Sequence, residues 1–300
     1  MPHPSVVLEI GPSRVAAARW AMVSGSLDSV AVEALPVGAL MPSPVDTNVT
    51  QPDALASALR RILNQVPARG APLALLVPDP VVRVFILPFE NLPRNAEDAL
   101  PLLRWRLKKS VPFDVDETAV SWMRQRGRDG SLEIVAAIAQ RRILREYEQV
   151  IEFAGAHAGV VLSSTLASLP LLEEHGSTLL TRLCGRTLTA VIARGDTLCV
   201  YRSTEMPADA AVLDPRAVLD EVFPAIAYYQ DTWEDSIDHV YLGGFGERED
   251  VFCDAFAAEL KHNVESLSES EIARRLGAGT KDLLRHGLDG LVGWQLNEGS

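Results

Sequence analysis

Short apolar runs separated by tight polar turns open the chain. Ser5–Ile10 is apolar and β-rich, Gly11-Pro12-Ser13-Arg14 turns it, Val15–Trp20 returns, and Leu27–Leu35 supplies a third run. This pattern predicts a β-meander. A proline-rich loop follows from Pro36 to Pro52. The period then changes: Leu55, Leu59, Ile62, Leu63 and Val66 recur at helical spacing over Asp53–Val66, and Pro72–Val77 reads as a short buried strand. The first unit is therefore strand-strand-strand-helix-strand.

The same order begins again at Ser177. Thr178–Leu183, Thr187–Ala193 and Thr197–Arg202 read as strands joined by turns at Gly185 and Gly195-Asp196. Asp214 caps a helix from Pro215 to Trp233, with proline at its first position. Val218, Val222, Ile226, Tyr229 and Trp233 form its inner face, and Pro224 predicts a bend. A strand at His239–Leu242 runs through Gly243-Gly244-Phe245-Gly246 into a helix over Val251–Lys261. A last helix is expected over Lys281–Leu296.

Between the two units, Asp79-Pro80 opens a different segment. Val81–Leu87 reads as a strand, followed by a short cationic helix. Thr118–Arg126 and Leu132–Gln140 pair around a polar turn at Gly127–Gly130, Arg141–Ala156 is an amphipathic helix, and Gly159–Leu162 closes with a strand. A β-α-β-β-α-β order predicts a compact subdomain of its own. The expected organisation is two α/β lobes facing each other across a cleft: residues 1–163, with an inserted subdomain at about 79–160, and residues 164–300, ending in a helix at about 281–296.

The cationic helix leads into LRWRLKKSVPFDVDE, Leu103–Glu117. Asp98 is placed to cap it and Pro101 to fall in its first turn. Pro112 pushes Val111 out of helical space, so the helix stops near Ser110. Leu100, Leu103 and Leu107 share one face, while Trp105 points the other way among Arg104, Lys108 and Lys109. Either Trp105 packs under a neighbouring segment or it docks a partner. Likewise Pro112 and Phe113 either lock the helix end into the subdomain core or line a groove.

This stretch resembles a segment reading roughly I-R-W-E-A-x-x-x-I-P-F-x-x-x-E in the PilM family, the actin-like cytoplasmic proteins of type IV pilus assembly, related to the cytoplasmic domain of type II secretion GspL and to FtsA. Arg104, Trp105, Pro112, Phe113 and Glu117 stand at the matching places. The resemblance implies an actin-like (RNase H-like) two-lobed α/β fold with an inserted α+β subdomain in the first lobe. It implies a scaffold that binds the N-terminal tail of a PilN-like single-span inner-membrane protein, in a groove between the first lobe and the inserted subdomain. Other pilus or secretion proteins would be further partners. Such a protein sits in the cytoplasm, peripheral at the inner membrane through its partner. Trp105, Val111, Pro112 and Phe113 are the candidates for tail contact.

Nucleotide-binding members of the superfamily present two hairpins to phosphate, each with an acid serving hydrated Mg²⁺, and a glycine pair to adenosine. The first hairpin of this chain keeps an acid at Glu9 and small or polar residues at Gly11 and Ser13. Pro12 removes one N–H, and Ala16 stands where the family has a lysine. In the second, Arg182 stands for the acid and Cys184 for a glycine; Arg182 is expected as a solvated or paired charge. Gly243, Gly244 and Gly246 match the adenosine loop. Only Ser203–Leu213 joins the hairpin to the long helix, where the family has a small subdomain. Weak or absent nucleotide binding is the expectation, with no cofactor. The alternatives are an ATP-binding or ATP-hydrolysing actin-like enzyme using Mg²⁺, and a type II secretion platform.

Composition narrows the field. The formal net charge of −12 argues against a nucleic-acid surface and against unaided docking on anionic lipid. Cys184, Cys199 and Cys253 have no metal or disulfide spacing, and no histidine pair suggests a metal site. The opening residues lack a signal-peptide pattern and no apolar run spans a bilayer, so direct membrane insertion is not expected. Glu173-Glu174 reads as a solvated acidic face.

Overall fold

Two sheets, each led by a hairpin, frame the protein in a computed structural model that describes residues 4–21, 25–68, 70–172 and 175–297. His3, Glu173 and Glu174 lie outside the described residues. In the first sheet, β1 (Val6–Ile10), β2 (Arg14–Trp20) and β3 (Leu27–Ala34) form the antiparallel meander. Helix α1 (Pro52–Gln65) crosses over, and β4 (Leu73–Val77) returns parallel to β1. The chain then builds a three-stranded antiparallel sheet from β5 (Arg83–Phe89), β6 (Thr118–Arg126) and β7 (Leu132–Gln140), covered by α2 (Ala96–Leu107). Helix α3 (Arg141–Phe153) and β8 (Ala158–Ser163) follow, then α4 (Ser164–Ser168). The second sheet repeats the plan with β9 (Ser177–Cys184), β10 (Thr187–Arg194), β11 (Thr197–Glu205), α5 (Pro215–Trp233), β12 (His239–Gly243), α6 (Glu249–Leu260) and β13 (Val264–Ser266). Helices α7 (Glu271–Arg275), α8 (Ala278–Arg285) and α9 (Asp289–Leu296) close the described chain.

The strand orders are β3-β2-β1-β4-β8 and β11-β10-β9-β12-β13, the same plan twice. Their central strands are buried on both faces, which is why β1 reads as the unbroken apolar run Val-Val-Leu around a single acid. Alternate residues serve different cores. Val6, Leu8 and Ile10 face α1 and α3, whereas Val7 faces the other sheet; Leu179 and Leu183 face α5 and α6, whereas Leu180 looks toward the first sheet. A shared core lies between the sheets and includes Trp20, Leu76, Leu291 and Trp294.

Five sequence expectations need correction. Strand β8 pairs with β4, from Leu73↔Ala158 to Val77↔Ser163, and α3 packs its Ile143, Tyr147 and Ile151 with α1 residues; both belong with the first sheet, leaving the three-stranded sheet and α2 as the inserted unit. The helix over 281–296 is broken: Gly287 takes φ +64° between α8 and α9. Asn95 is the cap of α2, its side chain accepting from the Glu97 N–H at 3.1 Å. Pro101 therefore sits inside the helix rather than in its first turn, and the Glu97 carbonyl loses its helical donor. The helix itself ends at Leu107, with its last cap bond from Lys108 N–H to Arg104. Among the described residues no helix or strand intervenes between β11 and α5, as the short connection suggests.

Candidate functional site

Glu9 lies on β1 and Arg182 on β9, each sharing a strand face with a residue of the inter-sheet core, Val7 and Leu180. Each central strand therefore sends a charged side chain toward the other lobe. Arg182 is 1% exposed. Its Nε donates to Asp289 Oδ2 at 2.6 Å, and its Nη2 donates to Glu9 Oε1 at 3.2 Å and Ser164 Oγ at 2.9 Å. Nη1 lies 3.9 Å from Asp79 Oδ2 and donates to Thr165 Oγ1 at 3.4 Å. One guanidinium thus gathers three buried carboxylates, from β1, from the turn after β4, and from α9.

The carboxylates are unequally satisfied. Asp79 accepts from the Thr165 N–H at 3.0 Å and hydroxyl at 2.5 Å, from Thr189 at 2.8 Å and from Tyr201 at 3.2 Å. Glu9 Oε1 also accepts from the Ser164 hydroxyl, but Glu9 Oε2 and Asp289 Oδ1 are buried with no hydrogen-bond partner among the described residues. Burial pushes the Glu9 carboxyl above the usual range, and Arg182 only partly opposes it. Burial also works against the Arg182 charge, yet Asp289 and Glu9 outweigh it, and the guanidinium is held well above its ordinary value. Arg182 is therefore the paired charge anticipated from sequence, at a depth the sequence did not suggest. Arg186 is at the surface, 3.1 Å from Glu205.

Above this cluster lies a cleft of about 720 Å³. It brings together Glu9, Gly11, Ser13, Gly244 and Gly246, while Gly243 is buried at the end of β12 and does not line it. The two hairpin tips meet here: a Cβ on Gly185 would lie 3.3 Å from Pro12 Cγ. Gly244 takes φ +82°, and a Cβ there would run into the Leu183 carbonyl, so this glycine lets β12 turn across β9. Arg14 is committed to the α8–α9 turn, donating to the carbonyls of His286 at 2.6 Å and Gly287 at 3.0 Å. Glu269 stands 3.6 Å from Arg285 and accepts from Lys281 at 2.9 Å. The rest of the charged lining is Glu247, Glu249 and Asp250, with His286 beside the α8–α9 turn. Burial pushes Glu249 up to about 7, against hydrogen bonds from Ser266 and the Phe245 N–H. Among the described residues no group of three or more His, Cys, Asp and Glu is arranged to hold a metal ion.

The second candidate group is on α2 and beyond. Ala99, Leu103 and Leu107 bury the inner face of the helix against Ile134, Ala136 and Ile138 of β7. Val111 and Phe113 pack, half-buried, against the same core; Pro112 is exposed, and Trp105 is 74% exposed. Of the two readings for Phe113, contact with the subdomain core is the one the packing displays. Among the described residues no segment covers Trp105. Sequence reasoning missed Asp79 and Asp289, since neither stands in a motif; the position of Arg182 on the Leu180 face of β9 was the signal that could have led to them.

No protein-family model and no curated protein matches the sequence. Solved structures do. A chain of the PilM-PilN type IV pilus biogenesis complex superposes with a TM-score of 0.79 at 19% identity, covering 98% of both chains. The cytoplasmic domain of EpsL, an inner-membrane component of the type II secretion system of Vibrio cholerae, gives 0.50 at 14% identity over 79% of this chain and 80% of that one. A Bacteroides thetaiotaomicron protein with an actin-like ATPase fold gives 0.53 at 9% identity over 91% and 95%. The fold is actin-like, with two lobes and an inserted α+β subdomain.

Proposed function

We propose that this chain is a PilM-like cytoplasmic scaffold of type IV pilus assembly, which binds the N-terminal tail of a PilN-like inner-membrane protein and has a degenerate nucleotide cleft. The observation that carries the scaffold reading is the likeness, over nearly the whole of both chains, to a structure solved as a PilM-PilN complex. The EpsL likeness supports a second reading, a type II secretion platform, less fully because it extends over less of the chain. In either machine the protein would sit at the inner membrane through its partner, as no helix among the described residues is long and apolar enough to cross one.

What supports a degenerate cleft is Arg182. Its guanidinium already pairs with Glu9, the acid that would serve Mg²⁺, the hairpin tips meet at Pro12 and Gly185, and the arginines lining the cleft are engaged elsewhere, Arg14 with carbonyls of the α8–α9 turn and Arg285 with Glu269. A bound ligand at hundred-fold excess over its Kd stabilises by about 2.7 kcal/mol. Titration with Mg-ATP should therefore leave the melting curve flat. A clear upward shift, lost in Glu9→Ala, would make the chain a nucleotide-binding enzyme candidate instead.

The tail is proposed to lie along the Val111-Pro112-Phe113 step, within reach of Trp105, as an extended segment using apolar contacts and main-chain hydrogen bonds. Fluorescence anisotropy with labelled N-terminal peptides from neighbouring pilus and secretion genes tests it. Pilus tails should bind and secretion tails should not. Val111→Asp should weaken binding at least ten-fold, about 1.4 kcal/mol. Binding of neither class, or binding unaltered by the variant, would end this reading.

A further inference from the structure

The outer face of α2 is built unlike the rest of this acidic molecule. Leu102 and Trp105 stand three positions apart on it, 42% and 74% exposed, and neither joins the cluster beneath the helix. Around them Arg106, Lys108 and Lys109 are exposed, with Arg94 in the loop just before the helix. None of these four cations has an ion pair or hydrogen bond among the described residues, although acids outnumber bases 40 to 28 along the chain. Arg104 alone is engaged, 3.8 Å from Asp116 and donating to the Thr118 carbonyl at 3.3 Å. Glu97 and Asp98 occupy the first turn, about 10 Å up the helix from Trp105.

We propose that this face is a contact for an anionic lipid surface. An indole settles at headgroup depth with its apolar body inward and its N–H wet, and Leu102 extends that apolar contact. Lysine and arginine stems lie along the same apolar stripe and carry their charges to the phosphates. A planar bilayer suits the geometry better than an acidic peptide does, because peptide recognition needs a groove or a free strand edge and this is the outward side of a packed helix. The net charge of −12 does not prevent it: the acids on the helix and in the segment after it are Glu97, Asp98, Asp114, Asp116 and Glu117, of which Asp116 is paired with Arg104, and acids farther than about 8 Å are screened at physiological salt, whereas the α2 cations meet the surface directly. The contact orients the protein with the inserted subdomain toward the membrane, the side where a membrane protein's tail emerges. It does not depend on the tail reading, since its residues other than Trp105 lie outside the Val111–Phe113 step.

The test is co-sedimentation of the full chain with phosphatidylglycerol-rich vesicles and with pure phosphatidylcholine vesicles. Each basic residue held at an anionic surface contributes about five-fold in partitioning. Binding should therefore favour the anionic vesicles, fall with added salt, and drop at least about twenty-five-fold in Lys108→Glu/Lys109→Glu. The blue shift of tryptophan emission on binding should vanish in Trp105→Phe, which keeps an aromatic ring. Melting curves matching the wild type show that the variants fold, and Arg106→Gln supplies a milder variant expected to lose about five-fold. Equal partitioning on the two vesicle types, or undiminished binding by the double variant, would overturn the proposal. So would full competition by soluble polyglutamate with no emission shift on vesicles, which would make the partner an acidic polypeptide. Loss of vesicle binding with tail-peptide binding intact would separate this contact from the proposed tail site.

Discussion

Arg182 makes three acids tolerable in the interior. Removing it strands Glu9, Asp289 and Asp79 as buried charges, and breaking a buried ion pair from one side costs about 3–5 kcal/mol. Arg182→Met should lose about that much in urea unfolding at neutral pH, and less in acid, where protonation of Glu9 relieves part of the stranded charge. A loss under about 1 kcal/mol would mean that the carboxylates are already neutral. Glu249 yields a second prediction. Its folded-state value of about 7 lies above the 4.5 of a free glutamate, so the folded protein holds a proton that the unfolded chain has released. Stability on this account is full below about 4.5, declines as pH rises, and has lost about 3 kcal/mol once pH passes about 7. Glu249→Gln should remove that slope: stabilising above neutrality, near neutral in effect in mild acid, measured by denaturation across pH. At this scale the sequence spoke clearly only where periodicity could be read. That Glu9 and Arg182 face the same interior follows from their strand positions beside Val7 and Leu180. That Asp79 and Asp289 join them depends on how a turn and a distant helix are brought together, which no local pattern records.

Elements were legible where their hydrophobic period was long and uninterrupted. Strands β6 and β7 fall on their expected bounds, and α5 is capped by Asp214 as its sequence indicates, with the Arg216 N–H at 2.9 Å. Partnership was less legible than existence. A six-residue strand such as β8 carries no mark of whether it joins the inserted sheet or β4, and an asparagine three residues ahead of an aspartate offers two equally good caps. The C-terminal helices failed for another reason: their leucines continue in step through a glycine that backbone geometry turns to φ +64°. Helix α9 depends on close approach. A Cβ on Gly290 would lie 3.0 Å from both Leu76 Cδ1 and the Ser164 carbonyl, and one on Gly293 would strike the Ala167 carbonyl. Gly293→Ala should therefore destabilise by about 1–3 kcal/mol in thermal or urea unfolding, despite alanine's better helix propensity. Stabilisation instead would mean that α4 and α9 are free to move apart.

On the scale of the molecule, the duplicated strand order was legible because both copies preserve hairpin, crossover helix and parallel return. Net charge was legible only as a sum, and −12 concealed the unpaired cations of α2. The core between the sheets draws residues from both lobes and from the last helices, which should make unfolding cooperative. Emission from Trp20 and Trp294 in that core and Trp233 behind the second sheet should change together with far-UV dichroism in a single urea transition; separated transitions would show lobes that stand independently. The placement of α9 has a further consequence. Its Leu291, Val292 and Trp294 fill space against β1 and β2, strands far earlier in the chain. During translation β1 and β2 must then wait, with that face uncovered, until α9 has left the ribosome. Until then the nascent first lobe offers an apolar face to aggregation and to chaperones, and its interior closes only once α9 has been made.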